Sequence, residues 1–72
     1  MKLSEAKRGQ GILIRKITDS NIKMQAIRLG IYEGAKVSCF AKIPYGPVIL
    51  SSRMQEIAIG RNIADNIEIE LL

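Results

Sequence analysis

The sequence predicts a mainly β fold, a small closed or nearly closed barrel of five short strands. One α-helix is inserted after the first strand, and a short helical turn precedes the last strand. The chain has 72 residues, which is enough for one domain over residues 1–72. Thirteen residues are isoleucine and none is tryptophan, a β-branched composition that favours strands. Apolar and polar residues alternate in several short segments, and closing so short a sheet into a barrel removes its exposed edges.

The first strand is predicted over residues 12–17. A leading segment, residues 3–7, precedes it and has the length of one helical turn. Within the strand, Ile12, Ile14 and the aliphatic stem of Lys16 are expected on one face, because side chains alternate between the two faces of a sheet.

A helix is predicted after the first strand. Residues 19–21 (Asp-Ser-Asn) are all good N-cap residues, and the helix should run from there to Leu29. Gly30 is expected to end it in the left-handed conformation that glycine adopts readily.

The apolar residues of this helix form two stripes when each residue turns the helix by about 100°. One stripe consists of Ile22, Ala26 and Leu29, and a nearly opposite stripe consists of Met24 and Ile27 with Ile31 continuing it. Two stripes leave two alternatives. Either both are buried, with a long loop covering the second, or the second is a surface for a partner. Burial of both is the preferred interpretation.

The remaining strands follow the same alternation. They are predicted over residues 36–42, 48–52, 56–59 and 67–71. Pro44 and Pro47 exclude residues 43–47 from the sheet, because proline has no N–H for a ladder hydrogen bond. Residues 60–66 are too short and too polar for a full helix, and they suit a 3₁₀ turn or a single α turn.

The residue types that most enzymes use are scarce. The chain has no histidine, and its one cysteine, Cys39, lies in the middle of a strand, where a thiol packs as a small apolar group. Glu68 and Glu70 share a strand face, but no third or fourth ligand for a cation accompanies them. We therefore expect no enzymatic activity, no metal site and no cofactor.

The positive charge is concentrated in the first half of the chain. Residues 1–36 carry eight Lys/Arg and three Asp/Glu, whereas residues 37–72 carry three and four. A basic half suits nucleic acid, an anionic membrane surface or an acidic protein, and it equally suits a solvated face. The three aromatic residues do not interleave with Lys/Arg, which weakens a nucleic-acid-binding or peptide-binding module without excluding it. Such a module is the alternative function.

The chain has no sign of a membrane-spanning or exported protein. No segment approaches the roughly 20 apolar residues of a membrane span, and residues 1–5 lack the apolar run of a signal peptide. A single cysteine makes no internal disulfide. The expected compartment is the cytoplasm.

Four segments together resemble one protein family. Residues 28–37 (RLGIYEGAKV) resemble the LG-hydrophobic-x-x-G-x-x-V signature of the FeoA family, the small cytosolic component of bacterial ferrous iron uptake. Residues 3–12 are similar to the start of that family, residues 44–47 to its loop, and residues 57–67 to its ending. The resemblance spans nearly the whole chain.

The resemblance implies an SH3-like barrel with an α-helical insertion. It also implies an accessory role with FeoB, a membrane ferrous-iron transporter that has a cytosolic GTP-binding domain. On that basis the chain would dock on the cytosolic part of FeoB and modulate its assembly or activity, without carrying iron or hydrolysing GTP. Neither nucleic acid nor direct membrane insertion is expected, and the partner would recruit the chain to the inner face of the membrane.

The partner surface is expected on the helix and its exit. The residues predicted for it are Lys23, Met24, Ile27, Arg28 and Ile31, with Tyr45 from the later loop. Ile22 and Leu29 are expected to hold the helix on the barrel instead. The alternative, in which every apolar member of the set is core, stays open.

Overall fold

Five strands form one antiparallel sheet in the computed structural model, which describes all 72 residues. In chain order the elements are a 3₁₀ helix (Leu3–Glu5), β1 (Gly11–Ile17), α1 (Ser20–Arg28), β2 (Lys36–Lys42), β3 (Val48–Ser52), β4 (Gln55–Ile59), α2 (Arg61–Ala64) and β5 (Ile67–Leu71). The strand order is β4-β3-β2-β1-β5. The mainly β fold is therefore confirmed, and β1 and β4 each begin one residue earlier than predicted.

A β-bulge in β1 changes which residues face inward. Ile14 pairs with Ile69 and Lys16 with Glu68, so Arg15 is an extra residue between the two pairs. Arg15 and Lys16 are consequently both exposed, and Ile17 turns inward. The prediction that the stem of Lys16 lines the inner face is wrong for this reason.

A second bulge lies in β2. Cys39 pairs with Leu50 and Ala41 with Ile49, which leaves Phe40 as the extra residue. Phe40 is 48% exposed. Bulges increase the local twist and bend of a strand, and the two bulges lie in two of the three inner strands of the sheet. They help the five strands to curl around one core.

The two edges of the sheet differ. No ladder joins β4 to β5, so the sheet does not close into a complete ring of hydrogen bonds. The edge of β5 is covered by the amino terminus: Lys2 bridges to Glu68, and the Ile69 N–H donates to the Met1 carbonyl at 2.7 Å. The edge of β4 has no such cover.

The core is a single cluster of sixteen buried apolar residues. Strands supply most of it through alternation, as in Val48 and Leu50 of β3, which are both fully buried. Leu3 of the 3₁₀ helix and Ala64 of α2 are fully buried as well. The two short helical turns predicted at the start of the chain and before β5 are thus confirmed, and both supply core residues.

Cys39 is 1% exposed, and burial raises the pKa of its thiol above the ordinary value. We expect it to react with a thiol reagent at pH 8 about a hundredfold or more slowly in the folded protein than in urea, because attack needs opening of the core. Absorbance of the released thiolate measures both rates. A Ser38→Cys/Cys39→Ala variant is the control, because position 38 is exposed in the same strand. Equal rates in folded and unfolded protein would contradict the burial.

The β3–β4 hairpin turns through Arg53 and Met54, whose φ angles are 50° and 66°. Residues with a Cβ adopt this left-handed region at a cost. Because Met54 is fully exposed and loses no packing, Met54→Gly should stabilise the protein by about 0.5–1 kcal/mol. Urea unfolding measures the change. Ala58→Gly, at an exposed strand position, should instead destabilise; a loss of stability in both variants would contradict the turn geometry.

Candidate docking surface on α1

The start of α1 is fixed by a side-chain cap. Asp19 is the N-cap residue, and its Oδ1 accepts hydrogen bonds from the N–H groups of Asn21 at 2.9 Å and Ile22 at 3.1 Å. These are two of the donors that a helix otherwise leaves without partners. The predicted start of the helix is confirmed.

The end of α1 is a Schellman turn. The Gly30 N–H donates to the Ile27 carbonyl at 3.0 Å, and the Ile31 N–H donates to the Ala26 carbonyl at 2.8 Å. Gly30 has a φ of 89°, as predicted. This motif commonly brings the side chains of its two ends together, and Ile31 and Ala26 are both fully buried.

Ile31 therefore does not belong to an exposed surface. Helical periodicity predicts that Ile31 continues the second stripe, but the backbone leaves the helix at Gly30 and carries Ile31 into the core. A hydrophobic residue directly after a helix-ending glycine is the sequence signal for this outcome.

The remainder of the second stripe is exposed. Met24 is 58% and Ile27 is 52% exposed, and they are helix neighbours three residues apart. Arg28 is exposed on the same side of α1. The preferred interpretation, burial of both stripes under a loop, is wrong, because no loop covers Met24 and Ile27. We call Met24, Ile27 and Arg28 the outer face of α1.

The first stripe holds the helix, but unequally. Ala26 is fully buried, and Ile22 is half-buried and packs against the core. Leu29 keeps 39% of its surface exposed, so it holds the helix less than predicted. Tyr32, which the sequence did not indicate for this surface, is 47% exposed just beyond the helix.

Lys23 lies at the margin of the outer face and is tied to the turn that follows α1. Its Nζ is 3.4 Å from Oε1 of Glu33, while Oε2 of Glu33 accepts the Ile17 N–H at 3.0 Å. The pKa of Glu33 is lowered from its ordinary value. The main cause is the hydrogen bond from the Ile17 N–H to its carboxylate, and the nearby charge of Lys23 adds to it. One carboxylate thus links β1, α1 and the α1–β2 turn.

Tyr45 occupies a separate position. It is completely exposed, with a φ of 59°, in the turn between β2 and β3. No hydrogen bond or ion pair connects it to α1. The turn after α1 lies beside the β3–β4 hairpin. That hairpin is at one end of β3, and the β2–β3 turn that carries Tyr45 is at the other end. The structure therefore brings Lys23, Met24, Ile27 and Arg28 together on α1 and leaves Tyr45 apart.

The acidic pair on β5 is used within the chain. Glu68 is 3.2 Å from the amino-terminal nitrogen, and Glu70 is 3.5 Å from Arg15. No group of three or more His, Cys, Asp or Glu side chains is arranged to hold a metal ion. No helix of the chain has the length and apolar character needed to cross a membrane.

Comparison with known proteins gives consistent similarities. A family model described as the FeoA domain matches residues 1–71. A protein of Methanocaldococcus jannaschii named as an Fe(2+) transport protein A is 36% identical over 69 residues, which covers 94% of this chain and 83% of that protein.

Solved structures share the fold. The crystal structure of an iron uptake regulatory protein, FeoA, superposes with a TM-score of 0.90 at 26% identity, covering 100% of this chain and 97% of that one. ScaR with bound Zn²⁺ gives a TM-score of 0.89 at 20% identity, covering 100% of this chain and 37% of ScaR. At that identity ScaR shows the fold alone.

Glu33→Gln should lower the melting temperature at pH 7, because the charged partner of Lys23 and of the Ile17 N–H is lost. Since the pKa of Glu33 is lowered in the folded protein, its stabilisation is complete above the ordinary value of 4.5. It disappears as the pH falls through the folded pKa. The two proteins should therefore converge in acid, as followed by circular dichroism. Glu70→Gln, on an exposed pair, is the control and should change the melting temperature less; a constant difference from pH 7 to pH 3 would contradict the role of Glu33.

Proposed function

Because this chain belongs to the FeoA family, whose named relative is an Fe(2+) transport protein, we propose that it is a non-enzymatic accessory of ferrous iron uptake. In this proposal it works in the cytoplasm, docks on the cytosolic part of a FeoB-like membrane transporter and modulates the assembly or activity of that transporter. The transporter carries the iron, and the accessory acts by contact. The observation that carries the proposal is the exposed apolar pair of Met24 and Ile27 on α1.

The outer face of α1 has the composition of a small protein interface. Its centre is apolar, and the cations Lys23 and Arg28 lie at its margin. Interfaces commonly place apolar anchors at the centre and charged groups at the rim, and methionine and arginine are enriched there. Met24 and Ile27 are two of eleven large apolar side chains that are exposed, and they are neighbours on one helix face, so one partner patch could cover both. A partner that covers them would recover the free energy of their burial.

Contacts within the chain fix both ends of the helix that carries the outer face. Asp19 fixes the start of α1, the Schellman turn at Gly30 fixes its end, and Glu33 ties Lys23 to β1. A surface that is already ordered loses little conformational entropy on binding. These contacts support docking by a preformed helix face.

The charge of the surface indicates the kind of partner patch. Lys23 is engaged with Glu33, whereas Arg28 makes no ion pair. Arg28 is thus available for a carboxylate at the rim of the partner, where a charge mainly affects the association rate and its dependence on salt. An apolar patch with an acidic rim on the cytosolic part of the transporter fits this face.

A double substitution, Met24→Asp/Ile27→Asp, tests the proposal. It places two charges in the apolar centre, and we expect binding to weaken by about 3 kcal/mol, more than a hundredfold. Binding to the purified cytosolic domain of a FeoB from the same organism is measured by calorimetry. Because both residues are exposed, the variant should stay folded, with a loss of about 1 kcal/mol from helix propensity.

Phe40→Asp/Leu72→Asp is the matched control, because these two side chains are exposed to a similar extent, 48% and 69%. It should bind like the unmodified protein. Tyr45→Ala, measured separately, determines whether the β2–β3 turn takes part in the same interface. Unchanged binding by a folded Met24→Asp/Ile27→Asp protein would overturn the docking surface, and no binding by the unmodified protein would overturn the proposed partner.

A further inference from the structure

The outer edge of β4 has unpaired backbone groups. Ser52 pairs with Gln55 across the two-residue β3–β4 turn, and residues that flank such a turn exchange both hydrogen bonds. Backbone groups alternate in direction along a strand, so the N–H and C=O groups of Ile57 and Ile59 point toward β3. Those of Glu56 and Ala58 point away from it. Neither residue makes a backbone hydrogen bond outside the sheet.

This edge is the one that the chain leaves free. The other edge, β5, is occupied by the first two residues, through the Lys2–Glu68 bridge and the hydrogen bond from Ile69 to Met1. An unprotected edge is a template for another strand. The amide and carbonyl groups of β4 are therefore available to an incoming backbone.

A groove of about 490 Å³ adjoins this edge. It lies between the turn after α1 and the β3–β4 hairpin. The side chains larger than alanine that line it are those of Tyr32, Lys36, Ser52, Arg53, Gln55 and Ile57. Two of these belong to β4 itself, so a strand that pairs with the free edge would place alternate side chains toward the groove.

The groove is cationic. Lys36 and Arg53 line it, no aspartate or glutamate does, and neither cation makes an ion pair. A second cavity, lined in part by Ser38 and Ser51, shares Lys36 and Arg53 with the first. Lys36 and Arg53 therefore lie between the groove and the second cavity, near the hydroxyl groups of Ser38 and Ser51. Such a pair of cations favours a carboxylate or a phosphate.

We propose that the free edge of β4 and this groove bind an extended segment of a partner protein that carries a carboxylate side chain. The segment adds a sixth strand to the sheet. Its carboxylate contacts Lys36 and Arg53, and an apolar side chain two residues along contacts Ile57. A phosphate group would use the cations alone, whereas only a polypeptide also pairs with the alternating N–H and C=O groups of Glu56 and Ala58.

This surface contains no residue of the outer face of α1, and the inference goes beyond the proposed function. An acidic side chain suits the groove side of the added strand. The opposite side of that strand meets the exposed carboxylate of Glu56, where another acid is disfavoured. The expected pattern is an acid, then a small polar residue, then an apolar residue.

The test uses a synthetic octapeptide, acetyl-Ser-Thr-Glu-Thr-Val-Thr-Ile-Ser-amide, added to the full chain. Isothermal titration calorimetry gives the affinity, and amide exchange by NMR reports the edge. At saturation, exchange at Glu56 and Ala58 should slow by about tenfold or more. Replacing the glutamate of the peptide by glutamine, or Lys36→Gln/Arg53→Gln in the protein, should each weaken binding by about tenfold or more.

Two further peptides test strand pairing directly. They are N-methylated at the even or at the odd residues. Only one set of backbone N–H groups faces β4, so one peptide should lose binding and the other should keep it. Met24→Asp/Ile27→Asp should bind the octapeptide within about twofold of the unmodified protein, which separates this result from a failure of the proposed function.

The inference is overturned if the octapeptide does not bind, if both N-methylated peptides bind equally, or if the glutamine peptide binds as well as the glutamate peptide. Binding of inorganic phosphate that displaces the peptide, with unchanged exchange at Glu56 and Ala58, would likewise show an anion site without strand addition.

Discussion

The hydrogen bond from Ile31 to the Ala26 carbonyl is the interaction on which the arrangement of both surfaces depends. It ends α1 and returns the chain to the barrel within two residues. Ala26 and Ile31 both lie in the core, and only the half-buried Ile22 adds to them, so α1 is held by few residues rather than by a wide apolar face. A helix held so narrowly leaves Met24 and Ile27 in water. The same turn then leads the chain past Tyr32 to Lys36, where it forms one wall of the groove.

Much of the fold could be predicted from the sequence because its strands are short and rich in β-branched residues. The bounds of β2, β3 and β5 match those that alternation predicts. Alternation fails at the two bulges, because the extra residue belongs to neither face. In β1 the adjacent charges of Arg15 and Lys16 are compatible with a bulge, but the spacing of Ile12, Ile14 and Lys16 is equally compatible with a regular strand.

The candidate site was less predictable than the fold, for two physical reasons. Periodicity identifies an apolar stripe, but whether something covers it depends on contacts distant in sequence. For α1, periodicity predicts the stripe of Met24 and Ile27 but not its exposure. Periodicity also ends where the helix ends, so it gives the wrong side for Ile31. The groove depends on the register of the sheet: β2 pairs with β3 so that Ser38 lies opposite Ser51, which brings Lys36 next to Arg53, 17 positions away in sequence. Alternation alone does not give that register.

The asymmetry between the two sheet edges limits what kind of assembly this chain can build. Growth of a filament by edge-to-edge pairing requires each molecule to offer two free edges, one for the preceding unit and one for the next. Here the first two residues occupy one of them. Association of two copies through their β4 edges would leave only the β5 edges at the outside, and residues 1 and 2 already cover each of these at Glu68 and Ile69. These two contacts therefore oppose open-ended growth of the sheet from one molecule to the next.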